Sequence, residues 1–359
     1  MTESISDRLV CAQCRVLLDA AFRCAACGQA YPCLSSIRVL LTKPGAHHEL
    51  WRQQLGFLIR HAGETPRALR LQASSSGIGD ATRTRLLALA GAVEAQVADL
   101  ALVLGPLFGG PLPPSEGVPL PRGTTDYITC LFRDWAWSGG HDEENVRSLD
   151  AIRRVSEGRA VSRMLVLGAG GCRLAYDLHV QCGGTETAVV DVDPYLLGIA
   201  EAVIRGASVS LTESSVNAPE VESVSRRWTL AAPAGPLGED AFQFFLANGT
   251  APPFSEHTFD TVVTPRFIDQ VPVDLGDLLR RVHGLLIPGG RWINHGPLIY
   301  GSDARPVACW YSRQEIFELA RAVGFRVGAW EQTPLPHFVS PWTGRGLIEN
   351  VLTFEATRD

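Results

Sequence analysis

Long apolar runs are missing from this chain: no segment approaches the roughly 18 uninterrupted apolar residues of a membrane span. The opening MTESISDRLVCAQC has no basic stretch followed by an apolar core, so no leader is expected and the reading is cytoplasmic. A basic tail is also missing. Arginines are spread along the chain and the net charge is −6, which disfavours an extended nucleic-acid surface. There is no internal repeat and no low-complexity tract. The cysteines do not form an even set: there are nine, and five lie within the first 33 residues. That distribution disfavours a disulfide framework and points to a local metal site in a reducing compartment.

What is present is the composition of a globular protein, 359 residues and 46% hydrophobic, enough for one large domain with appendages. Three regions separate: a cysteine-rich module at 1–44, a mainly helical region at 45–160, and an α/β region at 161–359. The first has short β-type segments around Val16–Leu18 and Ile37–Leu41. The second shows apolar residues three and four apart in ELWRQQLGFLIR and RLLALAGAVEAQVADLALVLGPLF. It is broken by SSSGIGD and by a Pro/Gly-rich loop from Gly109 to Gly123. The third alternates helical stretches with the short apolar runs RMLVLG, TAVVDVD, FDTVVT and GRWINHG, the rhythm of a parallel sheet.

Cys11-Ala-Gln-Cys14 and Cys24-Ala-Ala-Cys27 are two CxxC knuckles. Such a pair can present four thiolates tetrahedrally to one ion, as a closed structural Zn²⁺ site requires. Cys33 reads as a spare thiol. The segment, with Gly28, Tyr31-Pro32 and its closing apolar strand, resembles the zinc ribbons at the front of some rRNA methyltransferases, and those that activate tRNA and translation-factor methyltransferases. That resemblance indicates a module that could dock a protein partner or self-associate; it does not indicate a reaction.

Met164 to Gly171 reads as a strand and a glycine turn, followed by a helix. Gly168 and Gly170 would let the backbone approach a ligand beside the first strand's carboxyl end. Asp191, at the end of the next apolar run, is placed to accept ribose hydroxyls. This spacing fits either a dinucleotide or S-adenosylmethionine (SAM). A dinucleotide favours GxGxxG, but here Arg173 stands at the last glycine position. The downstream order resembles class I SAM-dependent methyltransferases, with Phe244–Phe254 in place of their acidic motif, Phe259–Thr264 as fourth strand, and Leu285–Ile293 as helix end, a turn at Gly289-Gly290 and fifth strand. The resemblance implies a Rossmann-like sheet and puts Asn248, where an Asp is usual, and Gly249 at the adenine, with the amide offering an acceptor.

Four further segments resemble the carnosine N-methyltransferase family: Arg133-Asp134-Trp135 ahead of the sheet, CRLAYDLH after the glycine turn, and FIDQV and WINHGPLIY at the fourth and fifth strands. The resemblance implies Asp269 as the carboxylate that accepts the acceptor ring's N–H, and places His295 and Tyr300 in the substrate pocket. Arg133 is implied near the methionine carboxylate, and Arg173 beside SAM. Asp269 could otherwise cap a helix, and His295 could be a core residue. Two departures weigh against carnosine itself: Gly301 replaces a histidine, and no tyrosine follows Tyr311. His337, Trp342 and Arg345 are candidate replacements.

The expected function is therefore SAM-dependent N-methylation of an imidazole-type nitrogen on a small molecule or peptide, with a structural zinc. The alternatives are an rRNA or tRNA base methyltransferase, which the acidic balance disfavours, and a non-catalytic scaffold docking a partner through the ribbon.

Overall fold

The computed structural model describes residues 4–62, 64–109, 124–137, 142–218, 220–301 and 306–359. The Pro/Gly-rich loop beyond Gly109 therefore lies outside the described residues. The strands are β1 (Cys33–Leu34), β2 (Ile37–Leu40), β3 (Arg163–Leu167), β4 (Glu186–Asp191), β5 (Val209–Ser214), β6 (Ser225–Leu230), β7 (Phe242–Ala247), β8 (Phe259–Pro265), β9 (Leu286–Pro297), β10 (Phe325–His337) and β11 (Leu347–Arg358). The helices are α1 (Pro44–Ala62), α2 (Glu64–Ala73), α3 (Asp80–Leu104), α4 (Thr124–Trp135), α5 (Glu143–Val155), α6 (Arg173–Gln181), α7 (Pro194–Ile204), α8 (Leu275–Leu285) and α9 (Arg313–Val323).

Nine strands form one sheet in the order β1-β2-β7-β4-β3-β8-β9-β11-β10, and β5-β6 make a separate hairpin. The five central strands β7, β4, β3, β8 and β9 are parallel, while β11 returns antiparallel to β9 and β10 antiparallel to β11. This is the Rossmann-like sheet expected, with its order reversing between β3 and β8, where α/β folds place ligands. Near-continuous apolar strands feed both faces. Met164 and Val166 of β3 join one core layer with α4 to α7, and Leu165 and Leu167 join the other with α8 and α9.

The cysteine-rich module is fused to this sheet. Strand β2 lies parallel to β7, pairing Arg38 to Leu40 with Phe245 to Ala247. Three helices start on side-chain caps, which fixes where the turn before each one ends. Asp193 accepts from the N–H groups of Tyr195 and Leu196, Asp274 from Asp277, and Ser312 forms a capping box with Glu315. The turn expected at Gly289-Gly290 between helix and fifth strand does not separate them. Instead α8 passes directly into β9 at Leu286, and the glycines form an irregularity inside that strand, with Gly289 at φ +75°. A Cβ on Gly290 would lie 2.8 Å from the Ile287 carbonyl oxygen, so only glycine fits.

The segment Asp80–Phe108 is long and apolar enough to cross a membrane by length and composition alone, which a count of uninterrupted apolar residues passes over. Its acids tie it to the fold. Glu94 pairs with Arg70 of α2, and Asp99, 6% exposed, pairs with Arg227 at 2.8 Å and accepts from Thr212 Oγ1 at 2.7 Å.

Candidate active site

A pocket of about 680 Å³ opens at the carboxyl ends of β3, β4, β7, β8 and β9. Such a volume lies in the range of small-molecule and cofactor clefts. Its lining brings together Gly168, Gly170, Arg133, Arg173, Asp191, Asn248 and Gly249 with Asp269 and His295. Tyr300 is not among the lining residues. Its ring stacks on Trp310 and its hydroxyl donates to the Tyr311 carbonyl at 2.9 Å, so it supports the strand end that carries Ile299.

One side of the pocket is built from turns. Asp191 accepts three backbone N–H groups, from Gly170 at 2.8 Å, Val192 at 2.7 Å and Asp193 at 3.0 Å. Burial raises its pKa and those donors oppose the rise, while its remaining lone pairs suit ligand hydroxyls. Asp193 next to it is pushed up to about 6 by burial and by the Asp191 charge. Gly168 and Gly249 share one steric reason for being glycine: a Cβ at either would lie 2.5 Å or 2.9 Å from the ring of Phe267. The Phe267 ring thus sits between the two turns, a residue that the sequence reading passed over.

Asn248 departs from the expected chemistry at the atomic level. Its Oδ1 already accepts from the Thr250 N–H at 2.9 Å and the Thr250 hydroxyl at 2.8 Å. Both lone pairs are engaged, so the amide's remaining function toward a ligand is as a donor from Nδ2.

Arg173 and Trp135 bind the segment before the sheet to the glycine turn. Arg173 Nε meets both carboxylate oxygens of Asp177, at 2.9 and 2.8 Å, and its Nη1 donates to the Asp134 carbonyl at 2.7 Å. Gly171 receives Trp135 Nε1–H on its carbonyl at 2.8 Å, and a Cβ there would lie 2.3 Å from Asp134 Oδ2. Arg133 pairs with Asp134 at 2.6 Å and with Glu144 at 3.1 Å. Burial opposes its charge, but the two carboxylates outweigh that and raise its pKa well above the ordinary value. A ligand carboxylate at Arg133 would have to share the guanidinium with both.

The other side of the pocket gathers at the ends of β8 and β9. Asp269 is 1% exposed; its Oδ2 accepts from the Ile299 N–H and from Gln270 Nε2, both at 3.1 Å. Its Oδ1 is buried and has no partner among the described residues. The helix that follows is capped by Asp274, so Asp269 has no capping role. Burial raises its pKa, with the Gln270 and Ile299 donors working against the rise. His295 Nδ1 lies 2.9 Å from Thr353 Oγ1, while its Nε2 is likewise buried and without a partner among the described residues. Burial and the neighbouring Arg266 push its pKa down to about 3, which keeps it neutral.

Glu144, Arg266 and Glu349 also line the pocket and had no sequence signal of their own. Glu144 draws together Arg133, Arg266 at 3.8 Å and His337 at 3.0 Å, and accepts from the Phe338 N–H at 2.8 Å. Burial alone would raise its pKa; Arg133 and His337 reverse that and hold it at about 2. Arg266 pairs with Glu349 and follows β8 at φ +46°. Gly296 must be glycine because a Cβ there would lie 2.8 Å from the Arg266 Cα. Of the three candidate replacements, His337 lines the pocket, whereas Trp342 and Arg345 do not.

The four knuckle cysteines also converge: their sulfurs lie within 4.8 Å of one another, with Cys11 and Cys27 3.7 Å apart. A tetrahedral zinc site with sulfurs about 2.3 Å from the ion needs sulfurs about 3.8 Å apart, so the donor set fits. Cys11 Sγ also meets the Tyr31 hydroxyl at 3.0 Å. Cys33 is exposed and outside the cluster.

The model of the carnosine N-methyltransferase family matches residues 216–335, which include Asn248, Asp269 and His295. A comparison with curated proteins finds no match. Among solved structures, the chain is similar to YcgJ of Bacillus subtilis, at 13% identity over 59% of this chain and 98% of the other, with a TM-score of 0.39. It is similar to the N-methyltransferase NodS of Bradyrhizobium japonicum, at 13% identity over 61% and 98%, TM-score 0.37. It is also similar to the 1,6-didemethyltoxoflavin-N1-methyltransferase of Burkholderia thailandensis, solved with 1,6-didemethyltoxoflavin and S-adenosylhomocysteine, at 19% identity over 68% and 92%, TM-score 0.37. Likeness at this level says nothing about substrate. The family model covers about a third of the chain; with the strand order reversing at the pocket and a glycine turn closed by Asp191, it supports a SAM-dependent methyltransferase that resembles the carnosine N-methyltransferases over residues 216–335.

Proposed function

We propose that the chain is an N-methyltransferase whose acceptor is an imidazole-type nitrogen on a small molecule or peptide side chain, and not carnosine itself. The observation that carries this reading is the buried, unpartnered Oδ1 of Asp269 at the pocket. A neutral imidazole has a lone pair on one nitrogen and an N–H on the other. A carboxylate that accepts the N–H orients the ring and stabilises the positive charge that develops as the lone pair is used. Bound SAM supplies an electrophilic methyl group. Asp191 and the glycine turn would hold its nucleoside, and Asn248 Nδ2 would donate to an adenine ring nitrogen.

His295 adds a neutral ring at the same end of the pocket, and its unpartnered Nε2 can take one more hydrogen bond from or to the acceptor. Glu144, Arg266 and Glu349 then define a charged far wall of the pocket. That wall suits an acceptor carrying charged groups beyond its ring. The ribbon is read as a closed structural zinc site, with Cys11, Cys14, Cys24 and Cys27 as ligands.

The test is a mass-spectrometric assay with isotope-labelled SAM and a panel of histidine, histidine dipeptides and histidine-containing peptides. Carboxylate, thiol and RNA acceptors run alongside. Label on an imidazole nitrogen is the expected outcome. Transfer only to carboxylates, thiols or RNA removes the imidazole assignment.

A further inference from the structure

The two knuckles of the ribbon close in the same way, with one difference. In each, the residue after the second cysteine turns into the left-handed region and donates its N–H to the carbonyl of the first cysteine. Gly28 does this at φ +71° and 2.8 Å, and Arg15 at φ +60° and 3.0 Å. Glycine is the unstrained residue for that conformation. An arginine there holds a backbone state that L-residues rarely adopt.

The Arg15 side chain leaves the ribbon. Its Nη1 donates to the Pro252 carbonyl at 2.9 Å and reaches the Ala251 carbonyl at 3.5 Å, and its Nη2 donates to the Phe254 carbonyl at 3.2 Å. These carbonyls belong to the turn that follows β7, the same turn whose first residues, Asn248 to Thr250, line the pocket. Its consecutive prolines have no N–H with which to join a ladder, so outside donors must fix it. The ribbon supplies more of them. The Val10 N–H donates to the Pro253 carbonyl at 2.9 Å, Leu9 bridges Phe254, and the Ser255 N–H donates to the Arg8 carbonyl at 2.8 Å. On the strand before the turn, β2 pairs as far as Ala247, the residue preceding Asn248.

We propose that the N-terminal ribbon is a metal-set brace for the cofactor turn: Arg15, locked behind the first knuckle, holds residues 248–254 in the form that receives SAM. Arg15 is a positioning residue, since it touches the turn and not the pocket. The ion would fix the knuckle, the knuckle fixes the direction of Arg15, and the fork of the guanidinium fixes two carbonyls of the turn. The inference rests on the zinc and SAM readings above, and its test separates the three.

Arg15→Gly removes the guanidinium while relieving the backbone, so the knuckle should keep its metal. Zinc per chain would be measured by elemental analysis and S-adenosylhomocysteine affinity by calorimetry, for wild type, Arg15→Gly and Arg15→Lys. The expected result is one zinc per chain in Arg15→Gly, with affinity weakened roughly tenfold, less than the full worth of two hydrogen bonds from a charged donor because the other contacts to the turn remain. Arg15→Lys, which can still reach one carbonyl, should lie between. KM for SAM should rise more than kcat falls. Faster amide hydrogen exchange across residues 248–255 of Arg15→Gly is expected in parallel, and reads the turn even where the variant holds less metal. Removal of zinc from wild type by a chelator should weaken binding at least as much as Arg15→Gly does. Affinity and exchange unchanged within a factor of two in Arg15→Gly would overturn the brace. Wild type with well below one zinc per chain would instead remove the metal, and wild type that binds no S-adenosylhomocysteine would remove the cofactor reading.

Discussion

The two halves of the pocket satisfy their polar groups in opposite ways. On the cofactor side every functional acceptor is engaged by its own neighbours: Asp191 by Gly170, Val192 and Asp193, Asp193 by the start of α7, Asn248 by Thr250. These are contacts within one turn or between adjacent strand ends, and they set the site before a ligand arrives. On the acceptor side, Asp269 Oδ1 and His295 Nε2 are buried with no partner among the described residues, beside a cluster of charges drawn from α4, α5, β11 and the residue after β8. A buried polar atom without a partner costs about 1–3 kcal/mol. The first half is preorganised by local geometry; the second stores an unsatisfied demand that a ligand can meet.

The comparison breaks most readily at Asp269. Asp269→Asn should lower kcat/KM for the imidazole acceptor by about 10²–10³-fold, the size of loss seen when one preorganised electrostatic partner is removed. S-adenosylhomocysteine affinity, measured in the same preparation, should stay within twofold. Equal losses of both would show that the halves are not separate.

Next in size is Glu144, whose loss leaves Arg133 and Arg266 short of a carboxylate in a buried setting. Glu144→Gln should cost about 3 kcal/mol of stability at neutral pH by denaturant unfolding. The sign follows from its depressed pKa of about 2 against the ordinary 4.5. The contribution is complete above about pH 4.5 and is lost as the pH falls toward 2. The wild-type and variant stability curves should therefore converge across that window. Curves that stay parallel would mean that the cluster's charge does not hold the far wall.

The same contrast explains what the sequence could disclose. Strand β3, the glycine turn, β4 and Asp191 lie within about one βαβ unit, and local period and turn chemistry suffice to read them. The knuckles are equally local. Asp269 was legible only because its segment resembles a family motif; its solvation state depends on Ile299, thirty residues on. Glu144 and Glu349 meet Arg266 from elements more than eighty residues away on either side, and no pattern in either segment marks that meeting. The role of Phe267 could not be read either, because two glycines far apart in sequence make room for one ring. Tyr300 shows the reverse failure: motif position placed it in the pocket, and stacking on Trp310 holds it outside.

On the cofactor side, Asp191→Ala should weaken S-adenosylhomocysteine binding by some tens-fold, because it removes both the ligand's acceptor and the carboxylate that holds Gly170. kcat at saturating SAM should change far less. A variant that bound S-adenosylhomocysteine normally would show that the turn is set without its acid.

The smallest expected effect is a pH limb that should not exist. His295 faces the acceptor end of the pocket, and a histidine there with an ordinary pKa would titrate within the working range. Burial and Arg266 hold its pKa near 3, so it is neutral across that range and contributes no limb. Asp269 must be ionised to accept an N–H, and burial raises its pKa above the ordinary carboxylate value. Activity should accordingly fall as the pH drops through that raised value, in addition to the fall caused by protonation of the free acceptor's imidazole near pH 6.5. In a profile of kcat/KM against pH, His295→Gln should lower the plateau while leaving both limbs in place, and Asp269→Asn should retain only the acceptor's limb. A limb that disappears with His295→Gln would assign the titration to the histidine and leave Asp269 as a structural carboxylate, which would make the acceptor half as locally self-satisfied as the cofactor half.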